Sequence, residues 1–260
     1  LSLVSFLWTL SATAAPFLPI QSLTTPKGIS VWYIEDHAQP IIALSFGFTD
    51  AGSSHDPLNK QGLAQMLART LDEGAGPYDS KSFQEQLDNN AISLSFGASR
   101  DTFTGDLKTL SDTSGTAFDL LRLALTTPHL ADESIARMKQ AHISRLLQSK
   151  TDPDWQAARL TNDRLFEGTA YAMNSGGTLS GLRAVTRTDL VSFRKTYLTR
   201  ASLRVAAVGD IAPATLAATI DRIFGDLPAG QLVTKKADSY PLQNSGKTFL
   251  YHQNIPQTIL

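Results

Sequence analysis

The chain has 260 residues, of which 42% are hydrophobic and none is cysteine, and its formal net charge is −1. The lack of cysteine excludes disulfides and thiolate metal sites, and the near-neutral charge gives no indication of nucleic-acid binding. This composition is typical of a globular protein with room for one large domain or two small ones.

Residues 1–14 have the composition of an export signal. They combine a short apolar run with the small-residue cleavage pattern Ala12-Thr13-Ala14. The run is too short to cross a bilayer as a helix. Because no Met and no basic segment precede it, we interpret the sequence as beginning within a signal peptide. The mature protein would then start near Ala15 and work in the periplasm or elsewhere outside the cytoplasm; the alternative is a buried N-terminal segment.

The first half of the mature part predicts four strands and two helices. The strands are rich in β-branched and aromatic residues or alternate apolar with polar residues, and they cover residues 30–34, 41–48, 92–98 and 102–107. The first two are separated by a turn-like segment and predict a hairpin or adjacent strands. One helix begins after a candidate N-cap at Asn59 and ends at Gly74; the other covers residues 80–89.

The second half predicts mainly helices. They have apolar residues at helical spacing, and they cover residues 116–125, 132–148, a segment that starts at Asp152-Pro153, 189–197 and 213–224. Asp132 is the expected N-cap of the second of them. A strand is predicted over 203–208. Because strands occur in hairpin-like pairs and helices in runs, we expect an α+β fold with a mostly antiparallel sheet packed with helices.

The domain organisation follows from a change near residue 230. Residues 15–230 form the predicted main domain. Residues 231–260 contain a lysine-containing run and then a new strand pattern over 246–251, which predicts a linker and the start of a truncated second domain.

Several short segments in this order resemble the M16 family of zinc peptidases, which includes insulinase, pitrilysin and the mitochondrial processing peptidase. They match in residue type and spacing, and they are residues 28–31, 48–53, 62–64, 73–83, 169–171, 177–178 and 205–210. The resemblance covers residues 28–260. It implies an M16 (LuxS/M16-type) domain, of which family members have two that close around an unfolded peptide.

Within this resemblance, residues 62–70 correspond to the zinc-binding helix. The active pattern is His-x-x-Glu-His on one helical face, in which two imidazoles hold zinc and the glutamate is the general base. Here the three positions hold Gln65, Ala68 and Arg69. The resemblance also implies a distal glutamate ligand, and alignment of the helix around residues 135–139 places Arg145 there.

These replacements remove the chemistry of the site. Amide and methyl groups do not replace imidazole and carboxylate, and arginine is a permanent cation that cannot coordinate a metal. The histidines show no ligand-type spacing; they are His37, His55, His129, His142 and His252. We therefore predict no catalytic residue and no metal ligand in this chain. The two arginines either pair with nearby carboxylates such as Asp72 or Glu73, or form a positive spot that meets a peptide carboxylate or carbonyl.

Three functional hypotheses follow. The first is the non-catalytic subunit of an exported zinc peptidase, in which a related M16 subunit carries the zinc and both contribute to a chamber for unfolded peptide. The resemblance implies such a division, because in two-chain bacterial members one subunit carries zinc and the other does not. The second is an active zinc metallopeptidase, and the third is a structural or binding protein that uses the fold without proteolysis. No nucleic-acid partner and no membrane span are expected.

Overall fold

A computed structural model describes residues 19–231 and 243–252, so the predicted export signal lies outside the described residues. The strands of the described part are β1 (Gln21–Thr24), β2 (Ser30–Glu35), β3 (Ile41–Thr49), β4 (Ser93–Ala98), β5 (Thr102–Leu110) and β6 (Leu203–Gly209). Its α-helices are α1 (Leu63–Ala68), α2 (Ser80–Asn89), α3 (Ser114–Thr126), α4 (Asp132–Ser149), α5 (Pro153–Leu165), α6 (Leu179–Ala184), α7 (Arg187–Tyr197) and α8 (Pro213–Phe224).

The six strands form one sheet in the order β1-β2-β6-β3-β5-β4. Every pair is antiparallel except β2 with β6, which are parallel. The predicted α+β fold with a mostly antiparallel sheet is therefore confirmed. The predicted pairing of β2 with β3 is wrong, because β6 lies between them and Val205 is opposite both Val31 and Phe46.

The sheet has one face covered by helices. Side chains of alternate strand residues point into this core, and the fully buried aromatic rings include Tyr33, Phe48 and Phe103. A close approach requires glycine at residue 105, because a Cβ atom there would lie 2.2 Å from Cζ of Phe46. Phe46 and Gly105 lie opposite each other on the neighbouring strands β3 and β5.

Several predicted boundaries differ from the structure. Asn59 lies in a short 3-10 turn, and α1 begins only after Gly62 and ends at Ala68. Asp132 is the first residue of α4, and the N-cap residue before it is an alanine without a side-chain cap. Residues 246–251, which were expected to start a strand, form no strand in the described part of the chain. Neither β1 nor α6 was expected, because both are short and have little periodicity.

Candidate functional site

A buried carboxylate positions α1. Asp56 is 6% exposed and accepts hydrogen bonds from the backbone N–H groups of Gly62 at 2.8 Å and of Ala64 at 3.0 Å. These donors belong to the unpaired first turn of the helix, so Asp56 acts as its cap across a five-residue turn. Burial raises the pKa of Asp56 to about 6, although the N–H donors of α1 lower it. The sequence analysis did not identify Asp56 as a cap. The Asp-Pro pair shortly before a predicted helix could have indicated it.

The chain enters α1 through a glycine that no other residue replaces without strain. Gly62 has a φ of +101°, and a Cβ atom there would lie 2.5 Å from Cδ2 of Leu182. The left-handed backbone and the contact with α6 both require glycine. Gly62 and Asp56 together therefore set the position of α1 relative to α6.

We expect Asp56→Ala to lower the free energy of unfolding by about 1–3 kcal/mol, because two buried N–H groups lose their acceptor. Asp56→Asn keeps an acceptor oxygen and should lose less. Urea unfolding measures both values. The exposed Asp88→Ala on α2 is the matched control and should change stability by less than about 0.5 kcal/mol. A loss for Asp56→Ala no larger than that of the control would contradict the capping role.

The same carboxyl makes stability depend on pH. Its pKa is raised from 3.8 to about 6 in the folded protein, so the folded state binds this proton more tightly than the unfolded state. The stability from Asp56 is therefore complete below pH 3.8 and is lost as the pH rises through about 6. As the pH rises over that range, we expect the free energy of unfolding of the wild type to decrease relative to that of Asp56→Asn. Parallel stability curves would contradict this prediction.

The three positions of the degenerate motif are held by other interactions. The side-chain amide of Gln65 donates a hydrogen bond to the backbone carbonyl of Ala98, at the end of β4. Ala68 is 3% exposed and belongs to the hydrophobic core. Arg69 is the C-cap residue of α1, and its Nε atom is buried without a hydrogen-bond partner among the described residues. Two of the three positions thus stabilise the fold, and the third carries a cation whose Nε atom lacks a partner in the described part of the chain.

Arg145 lies on α4, which packs against α1. The pKa of Arg69 is lowered mainly by burial and also by the positive charge of Arg145. The two arginines are therefore close enough to interact. His142 lies one helical turn before Arg145 and is 5% exposed. Its Nε2–H donates to the carbonyl of Gly176 at 2.7 Å. The pKa of His142 is lowered mainly by burial and also by the positive charge of Arg69. The ring is therefore neutral near pH 7, and its Nδ1 atom carries a lone pair.

The carboxylates that the sequence suggested as partners lie elsewhere. Glu73 forms an ion pair with Arg137 on α4 and accepts a hydrogen bond from Ser80 Oγ at 2.7 Å. Burial raises the pKa of Asp72 to about 6. Among the ion pairs of the described residues, none includes Arg69 or Arg145. The interpretation of the two arginines as ordinary ion-pair partners of Asp72 or Glu73 is therefore wrong.

The residues present at the motif do not fit a zinc ion. Zinc requires imidazole, thiolate or carboxylate ligands, whereas this site offers an amide, a methyl group and two guanidinium cations. The other histidines make separate contacts: His37 with Asp210, His55 with Asp50 and His129 with the carbonyl of Gly76. Within residues 19–231 and 243–252, no group of three or more His, Asp or Glu side chains could hold a metal ion.

Two further features lie beside the motif. The lining of a cavity of about 760 Å³ includes Leu146, Lys150, Trp155 and Met173. Strand β4 pairs with β5 alone among the described strands, so its other edge has unpaired backbone groups. None of the helices described is long and apolar enough to cross a membrane.

Comparisons with known families and sequences show what this chain is similar to. The family model Insulinase (Peptidase family M16) matches residues 33–173, and the model Peptidase M16 inactive domain matches residues 184–260. The chain is 25% identical to the "Non-peptidase homolog YmxG" of Helicobacter pylori over 86% of its length and 53% of the relative's. It is 22% identical to the mitochondrial-processing peptidase subunit beta of Saccharomyces cerevisiae, over 90% of its length and 51% of that protein's. The chain therefore spans about half the length of these relatives.

Solved structures show the same fold. A peptidase M16 inactive domain from Pseudomonas fluorescens superposes with a TM-score of 0.77 at 25% identity, over 82% of this chain and 52% of that one. Pitrilysin superposes with a TM-score of 0.72 at 20% identity, over 82% of this chain and 23% of that one. A protease from Helicobacter pylori gives 0.72 at 16% identity, over 87% of this chain and 54% of that one. The similarity thus extends over most of the described residues.

Proposed function

The chain belongs to peptidase family M16, whose model matches more than half of its length, and from that membership we propose that it is the non-catalytic subunit of an exported two-chain zinc peptidase. One observation carries the proposal. The four positions that the resemblance aligns with the family's zinc ligands and general base hold residues that cannot perform that chemistry, namely Gln65, Ala68, Arg69 and Arg145. The likeness to a protein named a non-peptidase homolog supports it. An active peptidase would need at least the ligands and the general base that are missing here.

The partner in this proposal is a related M16 subunit that keeps an intact His-x-x-Glu-His motif and binds the zinc. A peptidase must hold an extended peptide in register with its metal, and such positioning supplies a large part of the rate. A subunit without chemistry still contributes if it forms one wall of the chamber. The retained core around Ala68 and the Gln65–Ala98 bond keep that wall folded after the loss of the metal site.

Unfolded peptide is the proposed substrate of the complex. The unpaired edge of β4 offers backbone donors and acceptors to an extended chain, which can add to the sheet as another strand. The 760 Å³ cavity next to α4 is within the size range of ligand pockets and combines apolar residues such as Trp155 and Met173 with Lys150. Backbone pairing accepts many sequences, which suits a chamber for unfolded peptides.

The place of action proposed is outside the cytoplasm, because residues 1–14 have the composition of an export signal. One experiment tests both parts of the proposal. The tagged full-length protein is purified from the envelope of its native cell, its N-terminus is sequenced, and the copurifying chains are identified. We expect a mature N-terminus near Ala15 and a zinc-bearing M16 chain in about equal amount.

The same experiment separates the alternatives. An uncleaved N-terminus on cytoplasmic protein would exclude export. Recovery of the protein without any M16 partner would favour a structural or binding protein that uses the fold without proteolysis. Stoichiometric zinc bound to this chain itself would favour an active metallopeptidase.

A further inference from the structure

Two guanidinium groups lie on the contacting helices α1 and α4 at the degenerate motif. Arg69 ends α1 and Arg145 lies on the neighbouring α4, near enough for the charge of one to lower the pKa of the other. In the described part of the chain neither arginine forms an ion pair, and Nε of Arg69 is buried without an acceptor. A partly buried guanidinium beside a second cation raises the free energy of the folded protein unless an anion joins them.

A buried histidine adds a second unsatisfied polar atom next to the arginines. His142 is 5% exposed, and its pKa is lowered by burial and by the charges of both arginines. Its Nε2–H group donates a hydrogen bond to the carbonyl of Gly176. The lone pair on Nδ1 has no donor among the described residues. The surroundings thus offer charged donors from two arginines and one acceptor from a neutral imidazole. A ligand that fits them carries an anionic group together with an N–H group.

The accessibility of these groups allows a ligand to reach them. Arg145 is exposed and Arg69 is partly exposed, whereas His142 forms the buried side. The 760 Å³ cavity lies beside these groups: Leu146 and Trp155 line it, whereas Arg69, His142 and Arg145 do not. A peptide has the required combination, because it carries both carboxylate and N–H groups.

We propose that Arg69 and Arg145 form a carboxylate-binding site for a peptide, at the place where relatives of this chain hold their metal. The two guanidinium groups clamp the carboxylate, and planar guanidinium forks are well suited to the two oxygens of that group. The bound anion removes the repulsion between the arginines, so the site is stabilised by the ligand. The site belongs to this chain alone, so it stands or falls separately from the pairing with a zinc-bearing subunit.

Fluorescence anisotropy on the purified chain tests this site. Four labelled versions of one unstructured peptide differ only in their acidic groups: a free C-terminus, an amidated C-terminus, an amidated C-terminus with one internal Glu, and the same with Gln. We expect either the peptide with a free C-terminus or the one with Glu to bind with an affinity at least about tenfold higher than that of the neutral versions. The version that binds identifies whether the carboxylate is terminal or belongs to a side chain.

Variants assign the effect to the two arginines. Arg69→Gln and Arg145→Gln should each abolish the preference for the carboxylate, whereas Arg145→Lys should keep part of it because the charge remains. Arg222→Gln on α8 is the matched control and should leave binding unchanged. Thermal unfolding verifies that each variant folds; Arg145 is exposed, so its variants keep the test valid if Arg69→Gln is unstable. Equal binding of all four peptides, or an unchanged preference in Arg145→Gln, would overturn the proposal.

Discussion

Addition of this protein to the proposed zinc-bearing partner is expected to raise hydrolysis of an unstructured peptide by about a hundredfold or more over that partner alone. The physical reason is that a peptide held on one side only is misplaced relative to the metal, and small errors in position cost a factor of about 10² in rate. This chain alone should cleave nothing, because its motif positions Gln65, Ala68 and Arg69 provide neither metal ligand nor general base. A continuous assay with a quenched fluorescent peptide measures each subunit and the mixture.

A chelator provides the control for this assay. It should abolish the activity of the mixture, and restored zinc should recover it. Two results would contradict the assignment in different ways. Chelator-sensitive hydrolysis by this chain alone would show that it is itself a peptidase. A confirmed partner that works equally well without it would make this chain a structural or binding member of the family.

The second large effect concerns zinc itself. We expect no stoichiometric zinc on the wild-type protein after dialysis. The triple variant Gln65→His, Ala68→Glu and Arg69→His should still fail to hold the ion, since Arg145 keeps a cation at the place implied for the third protein ligand and adds no donor. The further change Arg145→Glu replaces that cation by a carboxylate, and we expect about one zinc per chain. Metal analysis by mass spectrometry gives the stoichiometry.

A matched variant separates the charge of Arg145 from the missing ligand. Arg145→Gln in the triple background removes the cation without supplying a carboxylate, and it should bind zinc more weakly than Arg145→Glu. The rebuilt variants also carry a cost in stability, because Ala68 is 3% exposed and Gln65 loses its bond to Ala98. Circular dichroism must therefore verify folding before metal is measured. One tightly bound zinc on the wild-type chain would contradict our interpretation of the four positions.

The sequence by itself determined most of the local structure. It predicted α2 over 80–89 and α8 over 213–224 with the observed bounds. These elements were predictable because apolar periodicity, capping residues and prolines act within a few residues of the chain. The predicted loss of the metal site also rests on the sequence, since it depends on what amide, methyl and guanidinium groups can do chemically rather than on where they lie.

Only the tertiary structure decided the long-range arrangement. Strand β6 pairs with β2 and β3 although Val205 lies 174 residues after Val31 and 159 after Phe46, and no local pattern specifies such a partner. Asp56 caps α1 from outside the helix, which a search for an adjacent cap at Asn59 could not find. Arg69 and Arg145 were expected to have carboxylates nearby, yet the fold directs Glu73 to Arg137 instead. The burial of a charged group and its choice of ion-pair partner depend on which distant segments pack together. For that reason the sequence determines which functional groups are present at this site, and only the fold decides what they contact.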